Sequence, residues 1–204
     1  MIALIDYKAG NLTSVRKALA AIGADVSTPA SPADLQDASA VIVPGVGHFG
    51  ATRALDREWV EAILARVGEG RPLLGICLGM QWLYEGSDEA PDCPGLGLLS
   101  GRCYRLSGAR ANADLRIKVP HVGWNRLAIS GEASIVDEVA NGSQVYFTHS
   151  YVAPVTGDTV AVTEHGERFA AIVQRGYVAG VQFHPEKSGE VGLRILRNFV
   201  ELVG

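Results

Sequence analysis

The strongest constraint on the fold is an alternation in the first half of the chain. Short runs without a polar side chain are separated by stretches whose apolar residues recur every three or four positions. Residues 2–5, 40–43 and 73–76 are of the first kind. A strand with no polar face has to be covered on both sides, which is the situation of a strand inside a parallel sheet flanked by helices. The covering helices are legible between the runs. Leu12, Val15, Leu19 and Ile22 form one helical stripe, with Asn11 placed to cap it and Gly23 to stop it. Trp59, Val60, Ile63, Leu64 and Val67 form another, and a short strand is expected over residues 24–28.

From Gly95 the rhythm changes. Residues 101–106, 122–129, 144–151, 159–164, 169–174 and 178–183 read as strands joined by turns. Only a weak helix over 133–139 interrupts them, and the chain closes with a helix from Ser188 whose face is Val191, Ile195, Phe199 and Leu202. The expected fold is therefore α/β, with a mostly parallel central sheet and an antiparallel-rich second half. No linker divides the chain, so residues 1–204 are expected to form a single domain.

Composition excludes several functions. Hydrophobic residues make up 48% and charged residues 20%, too apolar for a disordered chain. A net charge of −4 without a basic block argues against nucleic acid or an acidic membrane surface as partner. The most apolar stretch, residues 72–84, is shorter than the roughly 18 residues of a membrane span and contains Gln81. Residues 1–6 lack a charged leader and a cleavage site and read as the first strand, so a soluble, cytoplasmic protein is expected. The three cysteines, Cys77, Cys93 and Cys103, form no paired motif and have no histidine at ligand spacing, which leaves no zinc site or disulfide framework to expect.

In an open parallel sheet, ligands sit at the carboxyl ends of strands, and three such ends carry unusual chemistry. Cys77 lies in Gly75-Ile76-Cys77-Leu78-Gly79, between an apolar strand and a helical stretch. This is the thiol form of a nucleophile elbow, with a helix N-terminus favouring thiolate; alone, it reads equally well as a small buried hydrophobe in a tight turn. His184-Pro185-Glu186 follows the last strand, and in extended backbone residues i and i+2 share a side. A cysteine beside a histidine oriented by a carboxylate is the arrangement for nucleophilic acyl transfer. The third end is Pro44-Gly45-Val46-Gly47. Its Val46 or Gly47 N–H, with that of Leu78, could form an oxyanion hole; a phosphate loop or a plain turn would use the same glycines.

With these motifs in order, the sequence resembles the class I (triad-type) glutamine amidotransferases over essentially its whole length. The resemblance implies a flavodoxin-like three-layer fold and a glutaminase that passes ammonia to a synthase. Within the class the closer resemblance is to the glutaminases that serve imidazole glycerol phosphate synthesis, in histidine biosynthesis. It is carried by residues 6–15, 44–49 and 184–188, and above all by Val119-Pro120-His121-Val122-Gly123-Trp124-Asn125. It implies Cys77 as nucleophile, His184 as acid and base, and Glu186 as its orienter. Gln81 would hold the glutamine substrate, and backbone from Gly45 to Gly47 and from His149, Ser150 and Tyr151 would bind its amino-acid end. Asn11, His121, Trp124, Tyr146 and Lys187 match positions that face the synthase, here a (β/α)8-barrel cyclase in a heterodimer. No metal or organic cofactor is implied. Lys8, Val122 and Gly189 depart from the pattern, where a small residue, Met and Gln are usual. Two other readings stand beside this one: the glutaminase of another class I enzyme, in anthranilate or pyridoxal phosphate synthesis, and a non-catalytic flavodoxin-like binding subunit.

Overall fold

A computed structural model describes residues 1–108 and 117–203. The expected alternation is present: β1 (Ile2–Leu4), α1 (Leu12–Ala21), β2 (Val26–Ser27), β3 (Ala40–Gly45), α2 (Arg57–Gly68), β4 (Leu73–Cys77) and α3 (Leu78–Trp82). Then follow β5 (Gly86–Ser87), β6 (Arg102–Arg105), β7 (His121–Arg126), β8 (Ala128–Ile129), β9 (Gln144–His149), β10 (Tyr151–Val152), β11 (Thr159–Glu164), β12 (Arg168–Arg175), β13 (Val178–Val181) and α4 (Gly189–Glu201). The main sheet has eight strands in the order β2-β1-β3-β4-β13-β12-β11-β8. The first five run parallel, and the last three join antiparallel. The class of fold read from the sequence is the one observed.

Strand parity explains the two-sided burial. Ala40 and Ile42 point into a core shared with Val15, Leu19, Ile195 and Phe199. Val41 and Val43 point into the opposite core, with Ile63, Met80 and Trp82. Helices α1 and α4 thus cover one face, and α2 and α3 the other.

The second half departs from expectation in detail. The run 122–129 is two strands: β7 pairs with β9 as a separate ribbon, and β8 forms the edge of the main sheet. Between them Leu127 is buried, so the chain is anchored in the core as it changes sheets. The run 144–151 likewise breaks at Ser150, where β10 leaves to pair with β6. The expected helix at 133–139 is a single 3-10 turn, Ser134–Val136. Strand β5 is only two residues long and has no sequence pattern to reveal it.

The junction of β4 and α3 is held by an unusually close approach. A Cβ on Gly79 would stand 1.8 Å from the carbonyl oxygen of Val43, and one on Gly75 would stand 2.5 Å from that of Gly79. Backbone atoms cannot retreat as a flexible side chain can. Gly79→Ala is expected to destabilise the fold by about 3 kcal/mol, read as a lower urea midpoint; an unchanged midpoint would show that the helix can lift off the strand freely.

Candidate active site

Cys77 closes β4 with φ +53° and ψ −105°, a left-handed conformation that a side chain adopts only when its surroundings impose it. The strand ends there and α3 begins with Leu78, so the sulfur stands at the carboxyl edge of the sheet beside a helix N-terminus. His184 follows β13, the strand that pairs with β4. Its ring is buried, and Nδ1 lies 2.8 Å from Oε1 of Glu186, whose side chain is fully buried. With Nδ1 committed to the carboxylate, Nε2 is the nitrogen left for Cys77. Burial alone would push the His184 pKa down. The Cys77 sulfur, then the Glu186 carboxylate, override that penalty and raise it to about 10. Both neighbours thus favour the protonated imidazole. The three residues selected from separate stretches of sequence converge.

A cleft of about 230 Å³ opens over the sulfur. Gly47, Cys77, Leu78, Gln81, His149, Ser150 and Tyr151 line it, together with Glu89, Pro120 and Thr148. Gln81 is 4% exposed, and its Nε2 donates to the Tyr151 carbonyl at 2.8 Å and to Oε1 of Gln182 at 3.1 Å. The Tyr151 carbonyl also faces His149 Nδ1 at 3.1 Å. Gly45 lies just below the cleft, paired in register with Cys77.

One expectation needs correction. The Val46 N–H does not point at the cleft; it donates to the carbonyl of Ala9 at 2.6 Å. A donor engaged that tightly cannot also receive an oxyanion, so in this conformation the hole lacks Val46, while Gly47 and Leu78 remain at the cleft wall.

The family model "Glutamine amidotransferase class-I" matches residues 3–203. Two curated relatives bear the name imidazole glycerol phosphate synthase subunit HisH. The Halobacterium salinarum protein is 46% identical, over 98% of this chain and 92% of its own length. That of Methanothermobacter thermautotrophicus is 43% identical, over 100% and 99%. The chain belongs to the class-I glutamine amidotransferases. Solved structures agree on the amidotransferase fold. A crystal structure titled glutamine amidotransferase superposes with a TM-score of 0.76 at 22% identity, covering both chains fully. The PurLQS structure from Thermotoga maritima gives 0.77 at 19% identity, over 100% of this chain and 98% of that one.

Two residues at this amidotransferase's site, one behind the cleft and one on its wall, were not found from sequence. Gln182 is fully buried, and its Nε2 donates to the Cys77 sulfur at 3.6 Å. It precedes His184 by two residues, and the same parity that joins His184 to Glu186 could have identified it. Glu89 lies in a loop, where no periodicity marks it; it lines the cleft, and its Oε2 accepts the Phe49 N–H at 2.7 Å.

The residues expected to face the synthase divide into two groups. Trp124 is 55% exposed and Val122 58%. Tyr146 lies edge-on to Trp124 at 6.1 Å, and Lys187 Nζ is 5.8 Å from the Tyr146 ring, so these four form one outward patch. His121 is buried instead, a correction that strand parity explains: in β7, positions 122 and 124 face outward and 121 faces inward. There it stacks on Phe147 and His165 and meets His149 Nε2 at 3.2 Å. Asn11 makes no side-chain cap to α1; its Nδ2 reaches Glu186 Oε1 at 3.4 Å, behind the triad. Two departures from the family pattern have backbone reasons. Lys8 sits at φ +64°, where a small residue is at ease, and is held by its N–H and Nζ to the Asp6 carboxylate. Gly189 takes φ +58°. Val122 simply shortens a side chain of the outward patch.

The inward histidines carry a pH signature. Burial, then the charge of His165, lowers the His121 pKa to about 4. Burial, then His121, lowers that of His149 to about 3. In the unfolded chain both take up protons near 6.5. Between 6.5 and about 4 the unfolded state therefore binds more protons, and stability present above 6.5 is lost as pH falls. Urea midpoints are expected to drop from pH 7 to 4.5 in the wild type, with a shallower slope in His149→Gln; identical slopes would show that the pair does not drive the acid loss.

Proposed function

We propose that the chain is the glutaminase subunit of an imidazole glycerol phosphate synthase, hydrolysing glutamine with Cys77, His184 and Glu186 and delivering the ammonia to a (β/α)8-barrel cyclase. The observation that carries the reading is the convergence of a sulfur, an imidazole and a buried carboxylate under a cleft of about 230 Å³.

Glutamine enters with its side-chain amide over Cys77, and its amino-acid end lies along Gly47 and the 149–151 backbone. Glu89 is the one acidic residue among the described cleft walls and is placed to receive the α-ammonium group. The sulfur forms a bond to the amide carbon, and the carbonyl electron pair moves onto oxygen. When the C–N bond breaks, His184 gives its proton to the departing nitrogen, which leaves as ammonia and leaves a glutamyl thioester. His184 then takes a proton from water, the hydroxide displaces the sulfur, and glutamate departs. Glu186 keeps the ring oriented through Nδ1 and stabilises its charge through the cycle. Gln182 supplies a hydrogen bond to the sulfur.

The oxyanion needs backbone donors, and one of them, Val46 N–H, is turned away onto Ala9. We infer that a rotation of the Gly45–Val46 peptide would add this donor to those of Gly47 and Leu78 and raise the competence of the subunit. Ligand bound on the cyclase can favour the turned state by binding it better than the resting one. Such coupling prevents glutamine from being consumed when no acceptor is waiting. The outward patch of Val122, Trp124, Tyr146 and Lys187 supports the partner reading. Two large exposed apolar side chains beside a cation and an aromatic ring are what a subunit interface buries.

Cys77→Ala is expected to lower ammonia release from glutamine by about 10⁴-fold or more, without loss of fold by circular dichroism. Hydrolysis retained in a pure variant would refute the assignment. Glu89→Gln is expected to raise KM for glutamine about tenfold, the worth of one charge-assisted hydrogen bond, with kcat little altered. The decisive measurement is ammonia release with and without the cyclase and its substrate, a phosphoribulosyl-formimino carboxamide ribonucleotide. Turnover equally fast in both states would contradict the coupling.

A further inference from the structure

His121 and Asn125 lie on β7 and His149 on β9 beside it, and no step above uses their side chains. Within the β7–β9 ribbon His121 and His149 stand directly opposite each other in register. Their rings and the Asn125 amide form a continuous series of contacts. Asn125 Nδ2 lies 3.3 Å from His121 Nε2, His121 Nδ1 lies 3.2 Å from His149 Nε2, and His149 Nδ1 lies 3.1 Å from the carbonyl oxygen of Tyr151. The series begins on the ribbon that carries the outward patch and ends at the wall of the cleft.

Both ends fix the direction in which these groups donate, and they agree. At one end the Arg126 N–H donates to Asn125 Oδ1 at 2.8 Å, so the amide presents its NH2 group to His121; the same Nδ2 donates to the Glu164 carbonyl at 2.9 Å. His121 Nε2 is then an acceptor, and the ring proton sits on Nδ1. At the other end the Tyr151 carbonyl can only accept, so His149 carries its proton on Nδ1 and accepts through Nε2. The two tautomers leave one N–H···N bond between the rings, donated by His121 to His149. A second proton on either ring would set N–H against N–H. Burial keeps both rings neutral, lowering His121 to about 4 and His149 to about 3. His165 stacks on His121 but stands outside the series, since its Nε2 donates to the Lys118 carbonyl at 2.8 Å.

The far end of the series is where the backbone changes partners. Strand β9 pairs with β7 up to His149, and from Tyr151 the chain pairs with β6. The Tyr151 carbonyl is gripped there from two sides, by His149 and by Gln81 Nε2 at 2.8 Å. We infer that Asn125, His121 and His149 are a one-way hydrogen-bond relay that holds the Tyr151 carbonyl, and with it the 149–151 wall against which the amino-acid end of glutamine lies. The inference rests on the function proposed above and adds to it the side chains that keep the substrate's subsite in shape. All three act through the backbone and are positioning residues.

Two substitutions at His121 separate hydrogen bonding from packing. His121→Phe keeps a ring on Phe147 and His165 and removes both nitrogens. His121→Asn removes the ring, and its amide nitrogen takes the place of Nδ1 as donor to His149. The test uses the full complex with the cyclase of the same organism, saturated with the cyclase's ribonucleotide substrate. His121→Phe is expected to raise KM for glutamine about tenfold, the effect of one hydrogen bond, with kcat little altered, and His121→Asn to keep the wild-type KM. The reverse order would overturn the relay in favour of plain packing, and equal KM values in the two variants would overturn it as well. Nitrogen-15 spectra of the labelled subunit in the same complex, at neutral pH, are expected to show a proton on Nδ1 and none on Nε2 in both rings. A proton on Nε2 of either ring would overturn the relay whatever the kinetics. A wild-type complex that releases no ammonia would instead overturn the proposed function, and the relay's role in it, even where the spectra show both tautomers.

Discussion

The site depends on backbone packed against backbone where α3 leaves β4. Val43, Gly75 and Gly79 approach so closely that no side-chain carbon fits between them. That contact forces the chain to reverse within one residue, and Cys77 takes the left-handed conformation as a result. A reversal so sharp lifts the sulfur out of the sheet instead of burying it between strand and helix. It also sets the first turn of α3 directly after the sulfur. The backbone strain at Cys77 is thus maintained by packing elsewhere in the β3–β4–α3 junction.

Much of this was legible because it is encoded in patterns with a period. Fully apolar runs place β1, β3 and β4, and a polar triplet after the last strand of the parallel set places His184 beside β4. The Gly-x-Cys-x-Gly spacing identifies the elbow, since only glycine allows that approach. Legibility failed where parity was not applied or where no period exists. His121 and Trp124 are an odd number of residues apart in one strand, so they could never share a face; counting along β7 would have sent one inward. Glu89 is in an irregular loop, and β5 is two residues long, so neither leaves a trace in the amino-acid order. The direction of the Val46 N–H is a backbone rotation, and a glycine-flanked peptide permits both directions, so sequence could not choose between them.

The arrangement separates two kinds of readiness. In the proposed triad His184 is hydrogen-bonded to Glu186, and that carboxylate and the Cys77 sulfur favour its protonated form. The proposed oxyanion hole lacks the Val46 donor, which is turned onto Ala9. Withholding the hole is an effective way to keep a cysteine hydrolase quiet. Oxyanion donors act on the transition state and contribute little to binding the ground state. Under the proposed function, substrate would occupy the cleft while chemistry waits, and a single peptide rotation would change the rate without repacking the core.

The outward patch and the triad are joined through very little protein. The backbone carbonyl of Tyr146 accepts the His184 N–H at 2.9 Å. The Tyr146 N–H donates to Ser188 Oγ at 3.0 Å, and that hydroxyl in turn donates to the His184 carbonyl at 2.6 Å. One residue therefore presents its ring to the surface beside Trp124 and grips the histidine's backbone on its other side. Next along the same strand, Thr148 and His149 form the cleft wall. Under the proposed function, a partner resting on the β7–β9 ribbon would contact the strand that holds the backbone of His184 and forms part of the cleft wall.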